Sequence, residues 1–398
     1  MRTRSMGLAL FSGLALLISA CSSSATPSPS ASAVATASAP ATPAPSVEAT
    51  ASVPASVGPS ANPTAQWKVG VVTDVGTLDD KNFNQFSFEG AEKGAADIGA
   101  ASPTPIVPKD ASEYASDIQL LIGQKYNIIV TVGFNLSAET TKAAKANPNV
   151  WFVGVDQSPI CVDETGALDT TFACKGTAAT LLPNYVSLKF AEDQAGYLAG
   201  IVAASVSKTG RVGAIGGINL VPPVVRYIQG FELGAKSVSS TVVVKTGYVS
   251  TSDFGKAFND PATGKTYAKQ FITSNKVDVL FQVAGKTGNG VLDAACAAKI
   301  VGIGVDVDQY DSYPVDDACI LTSAEKHLSN AVEASIKAIA GNTAKAGDNT
   351  FDATNDGIGV SSFHGQTVPA DLQGKLDAAI AAMKAGTLKT CPDKCGTP

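Results

Sequence analysis

The chain has 398 residues, 45% of them hydrophobic, and its formal charge of -6 becomes -8 once a leader carrying Arg2 and Arg4 is removed. With Arg211 and Arg226 as its other arginines and a pI near 5.1, it lacks the basic surface that nucleic acid demands. After the leader no apolar run reaches the roughly 20 residues of a membrane-spanning helix.

Met1 to Ser5 carry two arginines, and Gly7 to Ala20 form an apolar run ending in "ISAC". This is the layout of a secretory signal peptide followed by a cysteine, and the small-small-Cys junction resembles a lipobox. Residues 1–20 are therefore read as a leader, and Cys21 as the lipidated thiol of a protein anchored on the extracytoplasmic face. Ser22 to Ala65 consist almost wholly of Ala, Ser, Thr, Pro and Val, with Glu48 as the lone charge. Without large apolar side chains to offset ordering entropy, residues 21–66 read as a disordered tether.

The remainder, from Trp67, is long for one core and suits two lobes. Cys161, Cys174, Cys296, Cys319, Cys391 and Cys395 are an even set for an oxidising compartment. Cys161 with Cys174 is the favoured pairing, because it closes one short loop. The "CPDKC" tail has no His or further Cys close by in sequence, so no metal is expected there.

Short apolar runs recur at Val69–Val72, Ile128–Val132, Trp151–Val155, Val212–Ile215, Val242–Val244, Val277–Val283 and Ile300–Val305, each reading as a buried parallel strand. Helical patterns lie at Phe83–Ile98, Ser112–Gln124, Ser137–Ala146, Ala191–Ser207, Pro223–Ser237, Thr266–Ser274, Gly290–Ala298 and Ala324–Ala340. The alternation predicts a doubly wound α/β architecture. In such sheets ligands sit beyond the carboxyl ends of the strands. Here Asp74, Asp156 and Asp306 each follow a strand, Gly133 with Asn135 follows another, and Gly285 another. A strand-end Asp is also a common helix N-cap. Three of them in two parts of the chain point to one polar cleft. Phe83, between Asn82 and Asn84, is either the first core anchor of its helix or a platform for something flat.

The two "GKT" triplets, Gly264–Thr266 and Gly285–Thr287, lack the preceding glycine of a phosphate-binding loop, since Asn259 and Leu280 stand there. Only His327 and His364 are present, and neither a G-x-S-x-G elbow nor an H-E-x-x-H motif occurs. The chain reads as a binding protein without cofactor, not as an enzyme.

The stretch "DVGTLDDKNFNQFSFEGAEKGA" resembles the signature of the basic membrane protein lipoproteins, which include purine nucleoside receptors. The similarity continues through "EDQAGYLAGIVAASVSKTGRVGAIGG", "GFELGAK", "AFNDPATGK", "VAGKTGNGV", "GVDVDQ" and "SAEK" in the expected order. The resemblance implies a two-lobed type I periplasmic-binding-protein fold with a hinge of three crossovers. By analogy residues 67–182 and 309–351 form lobe one, and 183–308 with 352–398 lobe two. It further implies a nucleoside ligand, an importer's permease and ATPase subunits as partners, and a monomeric body held to the membrane by its lipid.

Carried over by residue, the base is sandwiched between Phe83 and an aromatic of the "FNDPATGK" region, Phe258 or its competitor Phe254. Asp306, Gly285 and Lys326 would hold the sugar, while Asp74, Asn82 and Asp156 line the base side. A carboxylate accepts hydroxyl protons with charge assistance, which suits a ribose. The segment from Cys161 to Cys174 departs from the family pattern as an insertion after Asp156, which leaves the ligand open. A sugar on the same scaffold, and a sensor that does not transport, remain alternatives.

Overall fold

The structure, a computed structural model, describes residues 66–162, 168–169 and 178–397. The leader, Cys21, the tether up to Ala65 and Cys174 lie outside them, and with Cys174 the Cys161–Cys174 pairing.

Two six-stranded sheets organise the body. The first runs, in spatial order, Gly347–Phe351, Tyr185–Phe190, Trp151–Val155, Ile128–Val132, Val69–Thr73 and Thr104–Ile106, parallel throughout. The second runs Ile358–Val360, Ile320–Lys326, Val301–Asp306, Val279–Val283, Arg211–Ile218 and Val243–Ser250. All its pairs are parallel except that between Ile358–Val360 and Ile320–Lys326. Strands such as "VGVVT", "IIVTV", "WFVGV" and "VLFQV" are buried along their whole length, as β-branched runs covered by helices on both faces must be.

The chain crosses between sheets three times: at Ala191, after Tyr185–Phe190; at His327, after Ile320–Lys326; and between Phe351 and Ile358. The first two crossings lie further along than the boundaries read from the resemblance, 182/183 and 308/309. Tyr185–Phe190 completes the first sheet before the chain leaves it, and Ile320–Lys326 completes the second before it returns. The segment Ile320–Lys326 also replaces the start of the helix expected from Ala324. Ala-Glu-Lys favours helix locally, but parallel pairing with Val301–Asp306 in a buried position prevails, and the helix begins at Leu328.

The helices Glu192–Val206 and Pro222–Val238 pack backbone to backbone. A Cβ on Gly196 would fall on the Tyr227 carbonyl, and one on Gly234 on that of Tyr197. This close approach is what carries Arg226 and Tyr227 toward Glu192 and the sheet ends. Cys296–Cys319 ties the helix Gly285–Ala297 to the turn before Ile320. Cys391–Cys395 closes a C-terminal loop against Pro222–Val238, where Gln229 Oε1 accepts from the Gly396 amide at 2.9 Å.

Candidate functional site: an interlobe cleft

The carboxyl ends of both sheets face a cleft. Asp74, Phe83, Asp156, Phe258, Gly285, Asp306 and Lys326 line it together. Asn82 does not: its side chain is fully buried beneath the loop, and neither its Oδ1 nor its Nδ2 has a protein partner. Phe254 also stays out of the lining; its ring lies 6.3 Å from that of Phe258, tilted by 36°.

Phe83 opens the helix Phe83–Asp97, whose first amides are capped by Asp80, not by Asn82. The Asp80 carboxylate accepts from the amides of Asn82 at 2.9 Å, Asn84 at 2.9 Å and Gln85 at 3.1 Å. Those bonds satisfy donors a helix start leaves open and fix where the Phe83 ring emerges. The ring is partly buried, packs on the core and still forms cleft wall. Phe258 belongs to the second lobe and ends the short helix Phe254–Phe258. Gly285 stands beside it with φ 51°, its α-carbon side facing the Phe258 carbonyl, where any added Cβ would lie 3.3 Å from that oxygen.

Asp74 receives the amide of Val75 at 2.5 Å and both nitrogens of Asn135, at 3.3 and 3.2 Å. Burial pushes its pKa up to about 7 against the pull of those donors. Gly133, at φ 112°, is required here, because a Cβ would collide with the Asp74 carboxyl.

The floor of the cleft is a buried ion cluster. Lys326 Nζ lies 2.5 Å from Asp156 Oδ2, 3.2 Å from Glu192 Oε1 and 3.8 Å from Asp306 Oδ1. Arg226 Nε meets the other oxygen of Glu192 at 2.5 Å. Burial alone would lower the pKa of Lys326, but the three carboxylates around it outweigh that and raise it, keeping it charged. Burial likewise opposes ionisation of Glu192, yet Lys326 and Arg226 hold its pKa below the ordinary value. Asp306 is the carboxylate furthest from the ammonium, and burial raises its pKa to about 7. Tyr227 donates its hydroxyl to Asp306 Oδ1 at 3.3 Å, and the Lys326 ammonium stands 5.4 Å from the Phe83 ring.

Glu192, Arg226, Asp80 and Tyr227 were not singled out in the sequence. Glu192 and Arg226 meet only through helix packing, which leaves no local signal, although Arg226 being one of two arginines in the body was a hint. The two histidines stand apart from the cleft lining. His364 stacks on Tyr310 at 3.8 Å and pairs with Asp308 at 2.9 Å, while His327 leans on the Asp356 carbonyl at the second crossover.

Chemically, the cleft offers aromatic faces, carboxylate acceptors and one ammonium whose neighbours are already anionic. Asp156 Oδ1 and Asn84 Oδ1 have no protein partner. Both residues line the cleft, and an acceptor without a partner there suits a hydrogen-bond donor. No helix among the described residues is long and apolar enough to cross a membrane.

Solved solute-binding proteins share this architecture. One from Aeropyrum pernix K1 superposes with a TM-score of 0.68 at 22% identity, over 82% of this chain and 94% of that one. Another, from Conexibacter woesei, gives 0.61 at 23% identity over 83% and 100%. In sequence, the ABC transporter nucleoside-binding protein BmpA of Lactococcus lactis is 32% identical over 253 residues, 61% of this chain and 64% of that relative, so the match spans just under two thirds of its length. The CD4+ T-cell-stimulating antigen of Listeria monocytogenes is 29% identical over 82% of this chain and 88% of its own. Basic membrane protein A of Borreliella burgdorferi is 28% identical over 67% and 70%. Residues 67–382 match the family model described as ABC transporter substrate-binding protein, PnrA-like, and the chain, two-lobed and α/β with a cleft at its strand ends, belongs to that family.

Proposed function

We propose that this protein captures a nucleoside, purines by preference, in the interlobe cleft and delivers it to an ABC importer while held to the membrane through Cys21. The observation that carries the reading is the pairing of two aromatics, Phe83 from one lobe and Phe258 from the other, with Asp306 and Lys326 in the same cleft. Two π-faces suit a planar base, and an ionised carboxylate accepts ribose hydroxyl protons with charge assistance. The similarity to the nucleoside-binding BmpA supports the same ligand class.

Charge narrows the class further. Asp74, Asp80, Asp156 and Asp306 line the cleft, and Lys326, the only lysine or arginine in the lining among the described residues, is committed to carboxylates. A phosphate would enter with no cation left to meet it, so the ligand is the uncharged nucleoside and not its phosphate.

Calorimetric titration with adenosine, guanosine, inosine, adenine, ribose and adenosine monophosphate tests this. Nucleosides are expected to bind, free base and ribose each more weakly, and the monophosphate weakest. Binding of ribose alone at the affinity of a nucleoside overturns the reading.

A further inference from the structure

Between Asp74 and Phe83 the first lobe sends out the loop Thr77–Lys81, and three side chains of the second lobe hold it. Lys286 donates to Thr77 Oγ1 at 2.9 Å and Asp79 Oδ1 at 2.8 Å. Asn289 Nδ2 donates to the Asp80 carbonyl at 3.0 Å, and Ser312 Oγ to the Lys81 carbonyl at 2.9 Å. None of the three donors lines the cleft. Each lies on the helix Gly285–Ala297 or the turn Gln309–Ser312, the elements that follow the two strands ending at the cleft in the second lobe.

The contacts continue on both sides. Asp80, held through its carbonyl, caps the Phe83 helix with its carboxylate. Asn289, held by that same carbonyl, accepts with Oδ1 from Gln309 Nε2 at 3.2 Å, and Gln309 Oε1 accepts the Val305 amide at 3.0 Å, next to Asp306. One continuous chain of hydrogen bonds therefore joins the strand end that bears Asp306 to the loop that aims Phe83. Asn289 is 4% exposed, so removing its amide strands a buried carbonyl. The Lys286–Asp79 pair is more open, with Asp79 71% exposed, and weaker alone.

We propose that Lys286, Asn289 and Ser312 are positioning residues forming a latch across the cleft, which registers Phe83 against Asp306 and slows ligand escape. The latch is made only when the lobes meet, so its free energy acts on the closed form and its loss appears in dissociation. This deepens the nucleoside-binding reading and rests on it for the ligand probe, adenosine.

The test uses the full chain with Lys286→Asp, Asp79→Lys and the double exchange, plus Asn289→Ala. Stopped-flow kinetics with adenosine are expected to show koff rising about tenfold in Lys286→Asp, Asp79→Lys and Asn289→Ala while kon changes less than about threefold. The exchange should return koff to within about twofold of wild type, which loss of some unrelated structural role would not do. Ligand-free small-angle scattering should give a larger radius of gyration for Lys286→Asp and Asp79→Lys than for wild type and the exchange. Wild-type koff in the single variants overturns the latch, as does a fall confined to kon. Should wild type not bind adenosine at all, the nucleoside reading falls and scattering alone decides: equal radii overturn the latch, and larger radii in the two charge variants support it.

Discussion

Asp156 and Asp306 occupy matching places in the two lobes: Asp156 directly follows and Asp306 ends the third strand counted from the edge formed by Gly347–Phe351 or Ile358–Val360, and each turns the chain with a left-handed φ, 56° and 64°. Asp is among the few residues that adopt this conformation at small cost. The turn directs both carboxylates toward Lys326, which ends the neighbouring strand of the second lobe where the first lobe has Phe190. One ammonium thus serves a carboxylate from each lobe.

Replacing Lys326 by Met leaves Asp156 buried without its cation and Glu192 with Arg226 alone. The expected cost is about 3 to 5 kcal/mol in urea unfolding at pH 7.5. Deprived of Lys326, both acids acquire higher folded pKa values, so the deficit should shrink as the pH is lowered toward 5. A variant as stable as wild type at both pH values would show that the cluster contributes nothing to the fold.

Phe83→Ala separates the two roles of that ring. As a base platform it is worth roughly 1 to 3 kcal/mol, or about 5-fold to 150-fold in nucleoside affinity. As a buried core residue its removal would cost about 3 to 5 kcal/mol of stability. The ring is only partly buried and lines the cleft, so affinity is expected to fall more than stability. Calorimetry for adenosine beside urea unfolding decides it; wild-type binding with a severe loss of stability sinks the platform.

The strands most legible in the sequence were short uncharged runs such as Ile128–Val132 and Trp151–Val155, apolar but for Thr131 and buried along their whole length. Gly347–Phe351, "GDNTF", is an edge strand with alternating exposure and carries almost no apolar signal. The strand-end rule placed Asp74, Asp156, Gly285 and Asp306 at the cleft because backbone geometry alone puts strand ends there. It could not place Asn82, whose orientation depends on Asp80 capping the next helix, a choice between two adjacent polar residues that only loop geometry makes. Glu192 and Arg226 escaped for a related reason. Their meeting depends on the glycines that let two helices touch, and no spacing rule encodes it.

The membrane anchor is open to a direct check. Cys21→Ser should abolish acylation and leave the leader uncleaved at the "ISAC" junction, so that the chain keeps its full-length mass. Mass spectrometry after detergent partitioning reads both. An acylated, shortened Cys21→Ser product would place the anchor elsewhere.

Asp306→Asn should act in opposite directions on stability and on binding. Burial raises the folded pKa of Asp306 to about 7 from an ordinary value of 3.8, so the unfolded chain gives up this proton first. A carboxyl raised in this way favours the fold only below its unfolded pKa, and that contribution is lost as the pH rises from about 4 through 7. At pH 8 the ionised, buried carboxylate is therefore a cost. Asparagine removes it, and Lys326 keeps Asp156 and Glu192 as partners. Ligand-free Asp306→Asn is expected to be more stable than wild type at pH 8, by on the order of 1 to 3 kcal/mol, with the gain vanishing toward pH 4. Nucleoside affinity should move the other way, because the amide no longer accepts ribose hydroxyls with charge assistance. Wild-type affinity itself should weaken below pH 7 as Asp306 takes up its proton. Urea unfolding and calorimetry between pH 5 and 8 measure both sides. A variant less stable than wild type at pH 8, with unchanged affinity, would make Asp306 a structural partner of Lys326 and remove it from the binding site.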